Sequence, residues 1–85
     1  MKEFKYVITD PQGIHARPAG ELVKAAKAFT SSIMITKDDK SGDCKKIFGI
    51  MGLGIKKANE VVVTFDGEDE EAAYEAVSKL MQESL

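Results

Sequence analysis

The chain has 85 residues, of which 44% are hydrophobic and 31% are charged, and its formal net charge at pH 7 is −2. This length and composition predict one small globular domain that spans residues 1–85. The slight negative charge disfavours a dedicated nucleic-acid-binding protein, which is usually strongly basic, and no apolar run is long enough to span a bilayer.

Cysteine usage and the first residues of the chain bear on its compartment. Cys44 is the only cysteine, so we expect no internal disulfide and no cysteine-based metal site. The first residues lack the apolar core and the cleavage site of a signal peptide. We therefore expect a cytoplasmic protein without direct membrane insertion, and we expect neither a cofactor nor a metal.

The first element in chain order is a predicted strand. Residues 2–9 alternate between two faces with period two, which is typical of a strand half-buried in a sheet. A turn is predicted at residues 10–13, because Pro11 fixes its own φ and Gly13 can adopt a positive φ. The residues expected to face the core are Phe4, Tyr6 and Ile8.

A helix is predicted over residues 18–29, where apolar side chains recur at the i, i+3, i+4, i+7 spacing. Pro18 suits its first turn, since an N–H group there has no partner within the helix. The predicted buried stripe consists of Ala19, Leu22, Val23, Ala26 and Phe29.

The remaining chain predicts strands at residues 31–37, 40–45 and 60–66, a short helical segment at 47–53 and a last helix at 69–84. The order β-α-β-β-α-β-α, with strands buried on one face, favours an α+β fold with an antiparallel or mixed sheet. The predicted core residues are Ile33, Ile35, Val61, Val63 and Phe65 in the strands, and Ala73, Ala76, Val77, Leu80 and Met81 in the last helix.

The stretch GIHARP contains the only histidine of the chain, His15, and its only arginine, Arg17. The last helix begins with acidic residues that suit the positive end of the helix dipole, whereas the first helix has no acid before Glu21. A helix start with unpaired N–H groups binds phosphate. We predict an anion site built from the amides of Ala16 and Arg17, with the amide of Ala19 as a further candidate.

The two side chains suit phosphate chemistry. A neutral imidazole has a lone pair that can attack phosphorus, so His15 is a candidate nucleophile for phosphoryl transfer. The Arg17 guanidinium offers several N–H donors and a permanent charge to phosphate oxygens. The alternative is that both side chains are ordinary solvated surface residues.

Three segments of the chain resemble the HPr family, the histidine-containing phosphocarriers of the bacterial phosphoenolpyruvate–sugar phosphotransferase system. The segments are GIHARPAGELVKAAKAF, KKIFGIMGLGIKKANEVVVTF and GEDEEAAYEAVSKLM. The resemblance implies an open-faced β-sandwich in which four antiparallel strands have three helices on one face. It also implies a phosphocarrier that is not an enzyme acting alone, and that works as a monomer.

The resemblance also implies roles for residues and for partners. His15 would be phosphorylated by enzyme I, which draws on phosphoenolpyruvate, and would pass the group to a sugar-specific IIA component. Arg17 would stabilise the phosphate, and Pro18 would start the helix. The predicted partner-docking residues are Ile47, Phe48 and Met51, rimmed by Lys24, Lys27, Lys45 and Lys46. We expect Phe48 and Met51 to be exposed.

Two departures from the family pattern stand out. Many members have a regulatory serine where this chain has Lys46, which has no hydroxyl group, so we expect no serine-kinase control at that position. Family members often have a glycine in the turn at residues 56–59. Because asparagine tolerates the left-handed conformation, we expect the turn to shift by one residue to Asn59.

Two alternatives to a carrier remain at this stage. The tetrapeptide at residues 49–52 formally fits the GXXG loop of RNA-binding KH domains, although the chain is acidic. A purely regulatory HPr-like domain would bind partners without phosphate flux. Such a domain is expected to keep the serine and lose the histidine, whereas this chain has His15 and lacks the serine.

Overall fold

The structure is a computed structural model that describes residues 1–85 and has the element order βαββαβα. The strands are β1 (Lys2–Val7), β2 (Ser32–Lys37), β3 (Lys40–Asp43) and β4 (Glu60–Asp66). The helices are α1 (Ala16–Lys27), α2 (Ile47–Met51) and α3 (Glu70–Ser84). The strands form one antiparallel sheet in the order β1-β4-β2-β3. The prediction of an α+β open-faced β-sandwich, with three helices on one face of the sheet, is confirmed.

The core lies between the sheet and the helices, because the strands direct alternate residues towards the helices. All five core residues predicted in β2 and β4 are buried, and Phe4 and Tyr6 of β1 are half-buried against them. The intervening residues form the open face of the sheet, where Lys5 pairs with Val62 and Val62 pairs with Thr36.

The buried stripes of the long helices agree with the prediction at most positions. Ala19, Leu22 and Ala26 of α1 and Ala73, Val77 and Met81 of α3 are buried, whereas Ala76 is exposed. The prediction for Ala76 is wrong because Tyr74 packs edge-on against Phe4 and Phe65, with ring centroids 5.9 and 5.6 Å apart. These contacts turn the buried side of α3 towards Tyr74 and away from Ala76.

Several element boundaries differ from the predicted ones. Helix α1 begins at Ala16, two residues before the predicted start. Strand β1 ends at Val7, since Ile8 and Thr9 donate instead to Asn59 and Leu85, respectively. Elsewhere β3 ends at Asp43, α2 at Met51 and α1 at Lys27, and α3 begins at Glu70.

The turn before β4 is not shifted as expected. Ala58 adopts the left-handed conformation with a φ of 71°, although a side chain disfavours it. The Ala58 amide donates to the Ile8 oxygen at 2.8 Å, and Asn59 Oδ1 accepts from the Lys56 amide at 2.7 Å. These two bonds fix the register of the turn, so the positive φ falls on Ala58.

The short helix α2 packs directly on the edge strand β3 through two glycines. A Cβ atom at Gly42 would overlap the carbonyl group of Gly49, so the two backbones touch without side chains between them. Ile50 is 1% exposed and anchors α2 in the core. The exposed side of α2 is therefore held at a fixed distance from the sheet.

No helix of the structure combines the length and the apolar character needed to cross a membrane.

Candidate functional site

The loop between β1 and α1 presents His15 at the N-cap of α1. Gly13 has a φ of 67°, and a Cβ atom there would overlap the Ile55 carbonyl oxygen, so only glycine fits this approach. The Ile14 amide donates to the same oxygen at 3.1 Å, and the Ile14 side chain is buried. The next residue is thereby directed outwards, and the His15 side chain is 38% exposed.

The start of α1 has unused hydrogen-bond donors. The first helical bond joins the Ala19 amide to the His15 oxygen at 3.0 Å, so Ala19 is wrong as a candidate anion ligand. The Ala16 and Arg17 amides donate to no acceptor in the protein, and Pro18 has no N–H group. No side chain caps this helix end. Two amide donors at the positive end of a 12-residue helix are thus available to an anion.

Three of the predicted site residues line one depression of about 260 Å³ on the surface. They are His15, Arg17 and Pro18, and they meet there with Asp10, Glu21 and Ser84. Asp10 belongs to the predicted turn at residues 10–13, and the sequence predicts no role for Glu21. The contact of Glu21 with Arg17 could have been predicted, because the two residues are four apart and therefore lie one turn apart on the helix. No sequence signal points to Ser84.

Two contacts with carboxylates define the electrostatics of the depression. Oδ2 of Asp10 lies 3.8 Å from Nε2 of His15, and Oε1 of Glu21 lies 3.6 Å from Nε of Arg17. The Arg17 side chain is 88% exposed, so its pair with Glu21 is solvated. The site therefore combines one imidazole, one solvated guanidinium and two free amides around an open space.

The other potential nucleophile of the chain is not available for chemistry. Cys44 is fully buried, and burial, assisted by the neighbouring charge of Asp43, raises the pKa of its thiol to about 12. The thiolate is the reactive form of cysteine, so this side chain is unreactive at neutral pH.

A surface that we call the α2 patch consists of Ile47, Phe48 and Met51. Their exposed fractions are 36%, 87% and 39%, so the predicted exposure of Phe48 and Met51 is confirmed. Helix α2 packs beside α1, and the Lys24 and Lys27 side chains of α1 are exposed. An exposed apolar patch with a polar rim is typical of a protein interface.

Lys46 is the N-cap residue of α2 and is exposed. Its backbone is extended, and its side chain makes no capping hydrogen bond. Lysine has no acceptor oxygen for the first amides of the helix, whereas serine, a favoured N-cap residue, has one. In the GXXG tetrapeptide at residues 49–52, Gly49, Ile50 and Met51 are helical and Gly52 is the C-cap. These residues therefore form no loop of the KH type.

Comparison with known proteins agrees with this combination of fold and site. Residues 2–83 match the family model described as the PTS HPr component phosphorylation site. The chain is 41% identical over 83 residues to the phosphocarrier protein HPr of Lysinibacillus sphaericus, covering 98% of this chain and 94% of that protein. The fold and the site are those of a small phosphocarrier. The chain belongs to the HPr family of the phosphotransferase system.

Solved structures give the same result. The chain is 37% identical to the histidine-containing phosphocarrier protein solved in work on the divergence of Mycoplasma from Gram-positive bacteria. The TM-score is 0.95, and the match covers 98% of this chain and 94% of that one. An HPr dimer from Thermoanaerobacter tengcongensis is 41% identical, with a TM-score of 0.78 and coverage of 98% and 95%. Relatives with this fold therefore include dimers.

Proposed function

We propose that this protein accepts a phosphoryl group on His15 from phospho-enzyme I, and ultimately from phosphoenolpyruvate, and passes it to sugar-specific IIA components. The observation that supports this most directly is the position of the only imidazole, exposed at an uncapped helix start beside two free amides. Membership of the HPr family supports the choice of partners.

The proposed reaction is a reversible nucleophilic displacement at phosphorus. A ring nitrogen of His15 forms a bond to phosphorus with its lone pair, and the bond between phosphorus and the donor breaks, leaving its electron pair on the donor. The amides of Ala16 and Arg17 then donate to the phosphoryl oxygens, and the positive end of α1 opposes their charge. The same steps in reverse deliver the group to the acceptor.

Arg17 stabilises the phosphoryl group in this proposal. Its guanidinium lies at the mouth of the depression and leaves its solvated contact with Glu21 when a dianion arrives. A phosphoryl group accepts two charge-assisted hydrogen bonds from a guanidinium, whereas the present contact with Glu21 joins one nitrogen to one oxygen. Pro18 contributes by holding the first turn of the helix rigid.

Partner docking is assigned to the α2 patch. Phe48 is the most exposed aromatic anchor, and Ile47 and Met51 flank it. The lysines at positions 24, 27, 45 and 46 would attract acidic partners and orient them over His15. His15, Arg17 and the α2 patch all belong to one chain, so a monomer is sufficient for this activity, and we propose the monomer as the working form.

The decisive experiment is intact-mass spectrometry after incubation with phosphoenolpyruvate and enzyme I from the same source. The native chain should gain one acid-labile phosphoryl group, and the His15→Ala variant should gain none. A matched Asp39→Asn variant, altered in the exposed β2–β3 turn, should be labelled like the native chain. No label on a folded native chain would contradict the proposal and favour a regulatory domain without phosphate flux.

Lys46 adds a proposal on regulation. Without a hydroxyl group at position 46, the chain works in transport or another phosphorelay without a serine switch at this site. Incubation with ATP and the serine kinase of the same organism should leave the native mass unchanged, and a Lys46→Ser variant provides the matched positive control. Stoichiometric serine phosphorylation of the native chain would contradict this proposal.

A further inference from the structure

The histidine ring has one charged neighbour whose role is not explained by phosphate binding. Oδ2 of Asp10 lies 3.8 Å from Nε2 of His15, and no other carboxylate comes within 4.0 Å of the ring nitrogens. We propose that Asp10 is a positioning residue that keeps the ring proton of His15 on Nε2, so that Nδ1 has the free lone pair and takes the phosphoryl group. This inference rests on the proposed function of His15.

The backbone holds Asp10 in place before any partner binds. Its amide donates to the Leu85 main-chain oxygen at 3.0 Å, and its own main-chain oxygen accepts from the Gly13 amide at 2.9 Å. The Leu85 oxygen also accepts from the amide and the hydroxyl of Thr9, at 2.6 and 2.8 Å. The last residue of the chain and the turn before the site are therefore joined by three hydrogen bonds.

The two carboxylate oxygens of Asp10 have different neighbours. Oδ1 accepts from the Gln12 amide at 2.8 Å, which closes a side-chain turn of the type that aspartate favours. That bond fixes the plane of the carboxylate and leaves Oδ2 directed at the imidazole. The Asp10 side chain is 24% exposed, so its contact with the ring is more shielded from water than the pair of Arg17 and Glu21.

The position of the proton on the His15 ring follows from the chemistry of the neighbouring Asp10 carboxylate. A neutral imidazole has one N–H group and one lone pair, and an ionised carboxylate only accepts hydrogen bonds. A ring with its proton on Nε2 is attracted to Oδ2, whereas a lone pair at Nε2 is repelled by it. The distance of 3.8 Å exceeds a hydrogen bond, and such contacts in free enzymes often tighten only when the reacting partner is bound.

The contact persists through the proposed transfer. The lone pair on Nδ1 forms the bond to phosphorus, the bond to the phosphorylated donor protein breaks with its electron pair, and the proton stays on Nε2. The ring thereby gains positive charge, which the Asp10 carboxylate opposes. Arg17 and Glu21, the other charged groups of the depression, contact each other and make no charge pair with the ring.

Asp10→Asn tests the assignment with little change in shape. The asparagine oxygen can still accept from the Gln12 amide, but an NH₂ group replaces Oδ2 and donates to a lone pair on Nε2, which moves the ring proton to Nδ1. The first readout is the tautomer, from long-range ¹H–¹⁵N spectra at about pH 8.5, where imidazoles are ordinarily neutral. His15 is the only histidine, so its signals are assigned directly. We expect the native chain to be protonated at Nε2 and the variant at Nδ1.

The second readout is the rate of labelling by phosphoenolpyruvate and enzyme I. We expect Asp10→Asn to be slower by about 10- to 100-fold, by analogy with metal-binding histidines that lose the partner of their second ring nitrogen. Asp39→Asn, which removes the same charge from a distant turn, should retain the native rate. An unchanged tautomer, or a changed tautomer with a native rate, would overturn the proposal. A native chain that takes no label contradicts the proposed function instead, and the tautomer is still measured independently.

Discussion

Arg17 and Glu21 face each other across one turn of α1, with 3.6 Å between Nε and Oε1, while the arginine side chain is 88% exposed. An exposed pair at this spacing contributes about 0.3–0.5 kcal/mol, so solvent competes with it almost evenly. The residue assigned to the phosphoryl group is thus restrained by a weak internal competitor.

Glu21→Gln should therefore make the site a better phosphoryl acceptor. The substitution frees the Arg17 guanidinium and removes a negative charge from the depression. The free energy of the pair corresponds to about a twofold increase in the rate of labelling at low ionic strength. Glu75→Gln, an exposed position on α3, provides the control. An unchanged rate for Glu21→Gln would show that the pair with Glu21 does not limit Arg17.

Phe48→Ala should weaken binding to enzyme I without affecting the fold. Truncating an aromatic anchor at the centre of an interface typically costs about 1–2 kcal/mol, which is about a 5- to 30-fold increase in Kd. Val7→Ala is a matched control, since Val7 is 49% exposed on the open face of the sheet. The Kd of each variant for enzyme I is measured by isothermal titration calorimetry. Equal affinities would remove the α2 patch from the interface.

Ala58→Gly should stabilise the protein. Ala58 has a φ of 71°, where a Cβ atom costs about 1 kcal/mol relative to glycine. The free energy of unfolding in urea should rise by about that amount. Ala76→Gly, in the exposed part of α3, should instead lower it by about 1 kcal/mol because glycine disfavours helix. A destabilised Ala58→Gly variant would contradict the left-handed assignment.

Asp69 should make the stability of the fold sensitive to acid. Hydrogen bonds from the Ser31 hydroxyl and the Thr30 and Ser31 amides lower the pKa of its carboxyl from 3.8 to about 2. The resulting stabilisation is complete above pH 3.8 and is lost as the pH falls through about 2.

The Tm of the native chain should consequently fall between about pH 5 and pH 2 by more than that of Asp69→Asn, which has no charge to lose. The variant should also melt at a lower temperature at pH 7, because its NH₂ group cannot accept a hydrogen bond from Ser31 or Thr30. Asp39→Asn should follow the native curve. Parallel curves for the native chain and Asp69→Asn would contradict the low pKa.

Local patterns were sufficient to predict most of the fold. The strand faces and most of the helical stripe residues follow from periodicities of 2.0 and 3.6, which depend only on neighbouring residues. The exposure of Ala76 was not predicted because it depends on where Tyr74 packs. Tyr74 contacts Phe4, which is near in space but far away in the sequence. The left-handed conformation of Ala58 was likewise set by a hydrogen bond to Ile8, fifty residues earlier in the chain.

The site was predictable in part. The sequence motif made His15 and Arg17 candidates, because basic residues at a helix start oppose the helix dipole. The helix start was placed two residues late, since no usual N-cap residue marks it and His15 occupies the N-cap. The contact of His15 with Asp10 depends on the fold of a turn that Leu85 secures from the far end of the chain. No local pattern encodes such a contact.

The backbone contact between Gly42 and Gly49 lies beneath the proposed docking surface and at a distance in the chain from the proposed phosphoryl site. Helix α2, which presents the α2 patch, contacts the edge strand β3 at these glycines. His15 lies in a different segment, a loop that is held by contacts with Ile55. A bulkier residue at position 42 would act first on α2, because the group that it would meet is the carbonyl of Gly49. Two substitutions can therefore act on different proposed properties: one at position 42 acts on partner docking, and one in the His15 loop acts on phosphoryl exchange. Such modularity lets a lineage acquire a new partner while its chemistry stays constant.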